Sequence, residues 1–413
     1  MHVFNTDFKQ LRIAIVGCGT TGPATAIYLS RQGHEVSIFE RAPKCEAVGA
    51  GFMLQPSGMA VLRELGVLND VAKFGARVDG LHIVNRRSGK PLLDLRYELV
   101  REGTFALGLH RSVLVSVLLA ELEKHEVPVH WGAEIENIDP EQGWLRTQDG
   151  DQHSGFDLII LADGAASQAR AQVGLNERVS QYPWGAIWWM HPDENAEFAT
   201  NELYQVVDGT RYLTGFLPTG RAWADSVDAP PHVSLFWSVP INREKWLATP
   251  IEEWKAEVLR QSPRAETLLA PIEAHEQLAF AAYHDVRIKQ WHRAKVVLLG
   301  DVAHAMSPQL GQGVNLGLLD ARFLSQCVRE NACDLATALR RYSEGRRSSL
   351  RYYQFATRWL TPIFQSSHDW VVPARDFAFP IANRVPLIKK EMVSTMMGIK
   401  SGFVRKDWSL LEE

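Results

Sequence analysis

Residues 11–40, LRIAIVGCGTTGPATAIYLSRQGHEVSIFE, restrict the possible folds more than any other stretch of this chain. Residues 11–16 are an almost unbroken apolar run, the pattern of a parallel strand covered on both faces. Glycines follow at Gly17, Gly19 and Gly22, then a helical segment to about Arg31 and a second strand ending on Phe39-Glu40. In such a unit the first glycine permits a tight turn and the second lets a phosphate approach the backbone. The third lets the helix pack on the strand. The helix N-terminus then faces the phosphates, and an acid closing the second strand, here Glu40, suits the ribose hydroxyls of an adenosine. The stretch predicts an α/β fold with a Rossmann-like sheet and a bound dinucleotide.

More of the parallel sheet is expected far downstream, at residues 156–164 (FDLIILADG) and 296–301 (VVLLGD), both apolar runs that stop on an acid–glycine pair. The texture between them differs. Residues 78–99 alternate like two antiparallel strands joined at Ser88-Gly89-Lys90, and residues 110–125 read as helix. From about Pro183 to Ala282, runs such as WGAIWWM, ELYQVV, RYLTGFLP and HVSLFWSV predict an antiparallel sheet, interrupted by an amphipathic helix, IEEWKAEVLRQ. Beyond Leu316 the chain reads as helical. The first lobe is thus interrupted twice, and no repeat or low-complexity linker separates the parts.

Bulk properties narrow the function classes. The 413 residues are 46% hydrophobic and 22% charged with a net charge of −4, so no electrostatic footprint for nucleic acid is expected. Cys18, Cys45, Cys327 and Cys333 form neither a CxxC nor a metal-ligand spacing, which predicts no metal site and a reduced, cytoplasmic protein. No leader resembles a signal peptide, and no apolar run reaches the ~20 residues of a membrane span.

The late stretch LLGDVAHAMSPQLGQGVNLGLLDA, together with DLIILADGAASQAR, LHRSVLVSVL and GAGFMLQP, closely resembles the single-component FAD-dependent aromatic hydroxylases, the family of p-hydroxybenzoate and salicylate hydroxylases. The likeness runs from about Ile13 to Asp320, with small departures at Val302, Cys18 and Thr20, and more loosely through the C-terminal tail. It implies that Gly17, Gly19 and Gly22 form the pyrophosphate loop, Glu40 the ribose acid, and Arg111 the arginine reaching the phosphate–adenosine half. Asp163 and Gly164 resemble the pair implicated in both FAD and NAD(P)H binding. Asp301 resembles the ribityl-binding acid, and Pro308, Gly311, Gly313 and Asn315 the loop and helix start beside the flavin ring. Arg41, Gly51 and Val314 complete the candidate cofactor set. A helix beginning there would aim free N–H groups and its positive end at the flavin N1–C2=O edge, stabilising the reduced anion. No second strand–GxGxxG–helix unit exists, so NADH or NADPH is expected as a transient co-substrate.

On this basis residues 1–80, 101–180 and 283–325 are expected to form a discontinuous FAD-binding domain of the glutathione-reductase type. Residues 81–100 and 181–282 would form an inserted antiparallel β-sheet substrate domain, and 326–413 a C-terminal helical region. The resemblance implies a monooxygenase that uses a C4a-hydroperoxyflavin and O2 to hydroxylate an aromatic or N-heteroaromatic small molecule, which needs a dry pocket. Strand periodicity groups Trp184, Ala186 and Trp188; Tyr212, Thr214 and Phe216; and Val233, Leu235 and Trp237, without fixing which side meets the flavin. Pocket candidates are His82, Trp188, Tyr212, Phe216, Trp237 and Pro308, each set against a packing role. His304 is expected to be structural. Arg77, Arg86 and Arg211 are candidates for a substrate carboxylate clamp, against the alternative of a solvated face. The C-terminal helices, basic at Lys389-Lys390, are expected to cover the core, with a membrane surface as the alternative. Rival readings are a flavin-dependent halogenase, for which WGAIWWMHP has the wrong tryptophan spacing, a flavin oxidase or reductase acting on a quinone- or polyprenyl-like substrate, and a non-catalytic flavin-binding partner protein. An oligomer is possible but not readable from sequence.

Overall fold

The computed structural model describes residues 9–45, 51–331 and 333–412, so Gly49 and Ala50 of the GAGFMLQP stretch lie outside the described residues. A six-stranded nucleotide sheet has Arg12–Val16 near its centre, between Leu158–Leu161 on one side and Glu35–Glu40 on the other. Val296–Leu298 extends it next to Leu158–Leu161, and Val129–Trp131 forms the far edge. All these pairings are parallel, and the central strands are buried throughout, as their unbroken apolar runs require. Segments distant in sequence are therefore neighbours in one sheet.

A second sheet of seven strands carries Glu177–Pro192, His232–Pro240, Tyr212–Gly220 and Glu202–Asp208 in its middle. The hairpin of Gly80–Asn85 and Pro91–Arg96 joins its edge through a parallel pairing with Glu202–Asp208. Three strands cross the borders drawn from sequence: Gly80–Asn85 starts one residue before 81, Glu177–Pro192 starts before residue 181, and Ala279–Ile288 runs past residue 282. A three-stranded sheet, Gly51–Leu54, Ala106–His110 and Ala76–Val78, was not expected. Its strands are short and carry no clean alternation, so sequence periodicity gives them no signature.

The two ends of the nucleotide lobe meet through glycines. The helix Thr21–Arg31 packs on the helix Gly313–Glu330, and Thr21 sits against both Gly300 and Gly317. A Cβ on Gly300 would lie 2.9 Å from the Thr21 hydroxyl, and Gly300 also has φ +67°. Around this contact lies a fully buried carboxylate, Asp320. It accepts the Gly300 N–H at 2.9 Å, sits 2.5 Å from His304 Nε2, and accepts from Arg346 Nε at 2.7 Å. Arg346 comes from the 30-residue helix Leu335–Phe364. Burial pushes the Asp320 pKa up, but His304 and Arg346 outweigh it and hold the group at about 2. His304 is thus a structural histidine, engaged by the buried acid.

Because the folded pKa of Asp320 lies below that of an unfolded carboxyl, its contribution to stability is complete above about pH 4 and is lost as pH falls toward 2. Asp320→Asn leaves Arg346 buried without its charge partner and should cost about 3 kcal/mol in urea denaturation at pH 7. The gap between wild type and variant should narrow on titrating to pH 3; a constant gap would mean that the carboxylate charge is not what stabilises the junction.

Candidate active site

A cleft of about 340 Å³ opens at the C-terminal edge of the nucleotide sheet. Gly17, Gly19, Glu40 and Arg41 line it from the first βαβ unit, and Arg111 from the first turn of the helix Arg111–Lys124. Asp163, Gly164, Asp301, Gly313 and Val314 line it from the downstream segments. Of the remaining expected cofactor residues, Gly22, Gly51, Pro308, Gly311 and Asn315 stand behind or beside this wall rather than on it.

The three early glycines do different work. Gly17 has φ +106°, and a Cβ there would lie 2.6 Å from the Ala162 carbonyl oxygen. A Cβ on Gly22 would run into the Gly17 carbonyl oxygen, so this residue permits the helix to approach the turn. A Cβ on Gly19 would meet nothing within 4 Å: it points into the open cleft, where a pyrophosphate needs the space. The Glu40 carboxylate accepts the Cys18 N–H at 2.6 Å and the Ala42 N–H at 2.9 Å, which orients the acid beside the phosphate loop.

Beside the Gly17 turn, Asp163 is largely buried, and one of its carboxylate oxygens has no hydrogen-bond partner. Burial raises its pKa, against the opposing pull of the Ser167 hydroxyl and of Arg170 and Arg41. Arg170 braces this turn to the late motif, donating to the Ala165 carbonyl at 3.0 Å and the Val302 carbonyl at 3.3 Å. Asp301 is exposed to the cleft just beyond the buried Gly300 turn. The helix Gly313–Glu330 makes its first internal bond from Leu316 N–H to Gln312 O, so the N–H groups of Gly313, Val314 and Asn315 precede it. Asn315 itself is buried: its Oδ1 accepts the Gln55 N–H at 2.8 Å, and its Nδ2 donates to the Met53 and Gly311 carbonyls. Its place is to tie the strand Gly51–Leu54 to the helix start. Gly51 closes against Thr219 and Ser234 of the wide sheet. An open glycine, an acid on the ribose side, an unpartnered buried carboxylate oxygen and a helix N-terminus form a donor set that fits an extended FAD.

A family profile described as FAD binding domain matches residues 10–348. The aurachin C monooxygenase/isomerase of Stigmatella aurantiaca is 30% identical over 80% of this chain and 84% of its own length. The chain belongs to the FAD-dependent aromatic hydroxylases. A Rhodococcus erythropolis protein provisionally named 2-heptyl-3-hydroxy-4(1H)-quinolone synthase is 28% identical over 84% of this hydroxylase and 86% of itself. Among solved structures, the tetrameric form of 2-methyl-3-hydroxypyridine-5-carboxylic acid oxygenase shares the fold with a TM-score of 0.73 at 24% identity, covering 92% of this chain and 98% of that one. The hydroxylase is accordingly an FAD-dependent monooxygenase.

Strand register fixes the sidedness of the wide sheet in this hydroxylase. Ile187 and Thr214 pair with Trp237, and Phe216 with Leu235, so these side chains share one face. That face packs under the helix Ile251–Gln261 and its neighbours, against Trp254, Val258 and Leu268. Phe216 stacks on Phe198 at 4.7 Å, and Trp237 meets Trp254 edge-on at 6.3 Å. His82 pairs with Tyr204 and stacks on it, and Tyr212 lies half exposed against Trp237. Four of the expected pocket residues, His82, Tyr212, Phe216 and Trp237, therefore belong to the helix-covered side, because the bulky residues of these strands fill the packed core there.

The opposite face carries Ala186, Trp188, Gly215, Leu217, Ser234, Phe236 and Ser238 and looks toward the nucleotide lobe. Gln365, after the long helix, donates to the Gly185 carbonyl at 2.8 Å and to the Ser238 hydroxyl at 3.2 Å on this side. Gln309 in turn donates to Gln365 at 3.1 Å, which brings the Pro308–Leu310 turn to the same face. Of the six pocket candidates, Trp188 and Pro308 meet here. Trp188 lies 5.4 Å from the Phe236 ring, and its indole N–H is buried beside Tyr283 without a well-formed hydrogen bond. The hydroxyls of Ser234 and Ser307 are also buried without partners. Ser234, Ser238 and Gln365 were not expected, although HVSLFWSVP held the clue: its aliphatic residues Val233, Leu235 and Val239 have one parity, leaving Ser234, Phe236 and Ser238 on the other side.

The glycine geometry separates two effects in one experiment. Gly22→Ala should lower the melting temperature of the apoprotein, since overpacking of this kind costs about 1–3 kcal/mol. Gly19→Val should leave apoprotein melting unchanged while reducing the FAD-to-protein absorbance ratio several-fold. Equal FAD content in wild type and Gly19→Val would remove the pyrophosphate from this loop.

Proposed function

We propose that the enzyme hydroxylates a neutral, apolar N-heteroaromatic ring of the alkylquinolone type, with O2 and electrons from NADH or NADPH. The observation that carries this reading is the charge of the wall facing the cofactor lobe. Residues 184–192, 202–208, 212–220, 232–240 and 279–284 of its strands contain no Lys or Arg; beyond them, Arg178 is exposed and Arg287 is paired with Asp285. The three arginines considered for a carboxylate clamp are spent elsewhere: Arg77 on Asp79, Arg86 on Asp208 and Glu257, and Arg211 on Asp369. A carboxylate buried against this wall would meet no counter-charge and would carry a large desolvation cost.

What the wall does offer is flat apolar surface with a few hydrogen-bonding groups. Trp188 and Phe236 present ring surface, and the Trp188 N–H and the Ser234 hydroxyl are polar groups without good partners. That combination suits a planar ring bearing one carbonyl or hydroxyl oxygen. When bound, FAD supplies the activated oxygen atom; the chain holds the ring, excludes water and directs the helix N-terminus at Gly313 toward the cofactor. The named product of the Rhodococcus relative is a quinolone with a heptyl chain, consistent with this wall. The pyridine-carboxylic acid of the solved structure's name carries a charge for which this wall has no partner.

The test is NADH or NADPH oxidation by FAD-loaded enzyme with 2-alkyl-4-quinolones, hydroxybenzoates and hydroxynicotinates. Neutral quinolones should accelerate oxidation and yield a product one oxygen atom heavier, while carboxylated rings leave the basal rate unchanged. Stimulation by the carboxylated rings alone would overturn the reading. Trp188→Phe should raise KM for the quinolone about tenfold with little change in kcat or FAD content, the effect of losing one hydrogen bond to the ring.

A further inference from the structure

We infer that the C-terminal helical hairpin, residues 369–396, docks the enzyme onto an anionic lipid surface. The inference is independent of the substrate proposed above. An ordinary surface helix turns its apolar stripe inward. The helix Val372–Ala382 also does the reverse. Phe377 and Ile381, at i and i+4, lie along its outer side, and Trp370 stands in the turn just before it, with Trp370 79% and Phe377 73% exposed. The following helix, Pro386–Met396, starts with Leu387, which is 72% exposed, and Ile388, which is also exposed.

Much of the inner side is fastened by polar bonds. Arg375 is buried and donates to the Gly209 carbonyl at 2.6 Å and the Ile363 carbonyl at 3.2 Å. Asp376 accepts from Asn85 at 2.6 Å, and Asn383 accepts the Asp94 N–H at 3.3 Å. Phe364 meets this side too, edge-on to Phe379 at 5.4 Å and beneath the Arg375 guanidinium at 5.8 Å. Such a contiguous outward apolar stripe marks a surface that meets something other than water.

The charges beside the stripe select the occupant. The acids of the segment are matched: Asp369 by Arg211, Asp376 by Arg375, and Glu391 by Lys400 and Lys406. Among the described residues, Arg384, Lys389 and Lys390 have no carboxylate within ion-pair distance. An aromatic and aliphatic stripe flanked by unmatched cations is the composition of a helix lying in the interface of an acidic bilayer. A twofold partner presenting the same patch would set these cations against their own copies. Among the described residues no helix is long and apolar enough to cross a membrane, so the contact is with the surface.

The test is co-sedimentation of FAD-loaded, full-length enzyme with phosphatidylcholine vesicles and with vesicles containing equal parts phosphatidylcholine and phosphatidylglycerol. Binding should occur on the acidic vesicles, weaken at about 0.5 M salt, and fall at least tenfold in a Phe377→Ser, Leu387→Ser, Ile388→Ser triple variant. A Lys389→Glu, Lys390→Glu variant should lose binding too, and both variants should keep wild-type FAD content and turnover of a dissolved substrate. Wild-type enzyme left in the supernatant with acidic vesicles would overturn the inference, as would unchanged binding by the triple variant. A sedimentation-velocity dimer that becomes monomeric in the triple variant would assign the face to a second copy instead.

Discussion

A single buried carboxylate, Asp320, ties together three segments of the late half of the chain. It bonds the turn at Gly300, the short helix carrying His304, and, through Arg346, the long C-terminal helix. An isolated charge in that position would be too costly to bury, so all three contacts must form together. Its neighbour in the same motif has the opposite fate. Asp301, beyond the Gly300 turn, is left facing the cleft. One acid fixes the turn and the other is presented by it, and the division between them follows from burial alone.

The wide sheet shows a second division of labour, set by the two-residue period of its strands. Bulky side chains of one parity interlock beneath the inserted helices, while the other parity is small, polar or flat. The packing that holds the sheet in place is therefore on the side away from the nucleotide lobe. The same arrangement bears on charge: Arg77, Arg86 and Arg211 are paired with carboxylates away from the face that looks toward the nucleotide lobe.

The nucleotide half was legible in sequence because its constraints are local. Gly17, Gly19 and Gly22 report backbone requirements within one turn, and Glu40 ends the strand beside them. The late motif was legible as a cofactor segment only through its likeness to a known family, since nothing local ties Gly313 to Gly17. The substrate side was read least well. Phe216 and Trp237 look like pocket residues by size and aromaticity, but pairing partners far away in sequence decide which way a strand faces. The sheet Gly51–Leu54, Ala106–His110 and Ala76–Val78 escaped for a related reason: its strands are too short to show a period, and their pairing is long-range.

The contact of Thr21 with Gly300 and Gly317 has a consequence for how the protein is made. Translation releases about 5–20 residues per second, so the first βαβ unit waits tens of seconds for the chain that covers it. Throughout that interval the helix Thr21–Arg31 lacks its packing partner, and the strand Arg12–Val16 lacks Leu158–Leu161 at its edge until the middle of the chain has emerged. Exposed apolar strands with open edges are the species that associate wrongly or are held by chaperones. The cleft, too, is assembled from both ends of the lobe, from Gly17 and Glu40 early and from Asp301 and Gly313 late. The cleft wall is thus finished only with Gly313 and Val314, when about a hundred residues have still to follow.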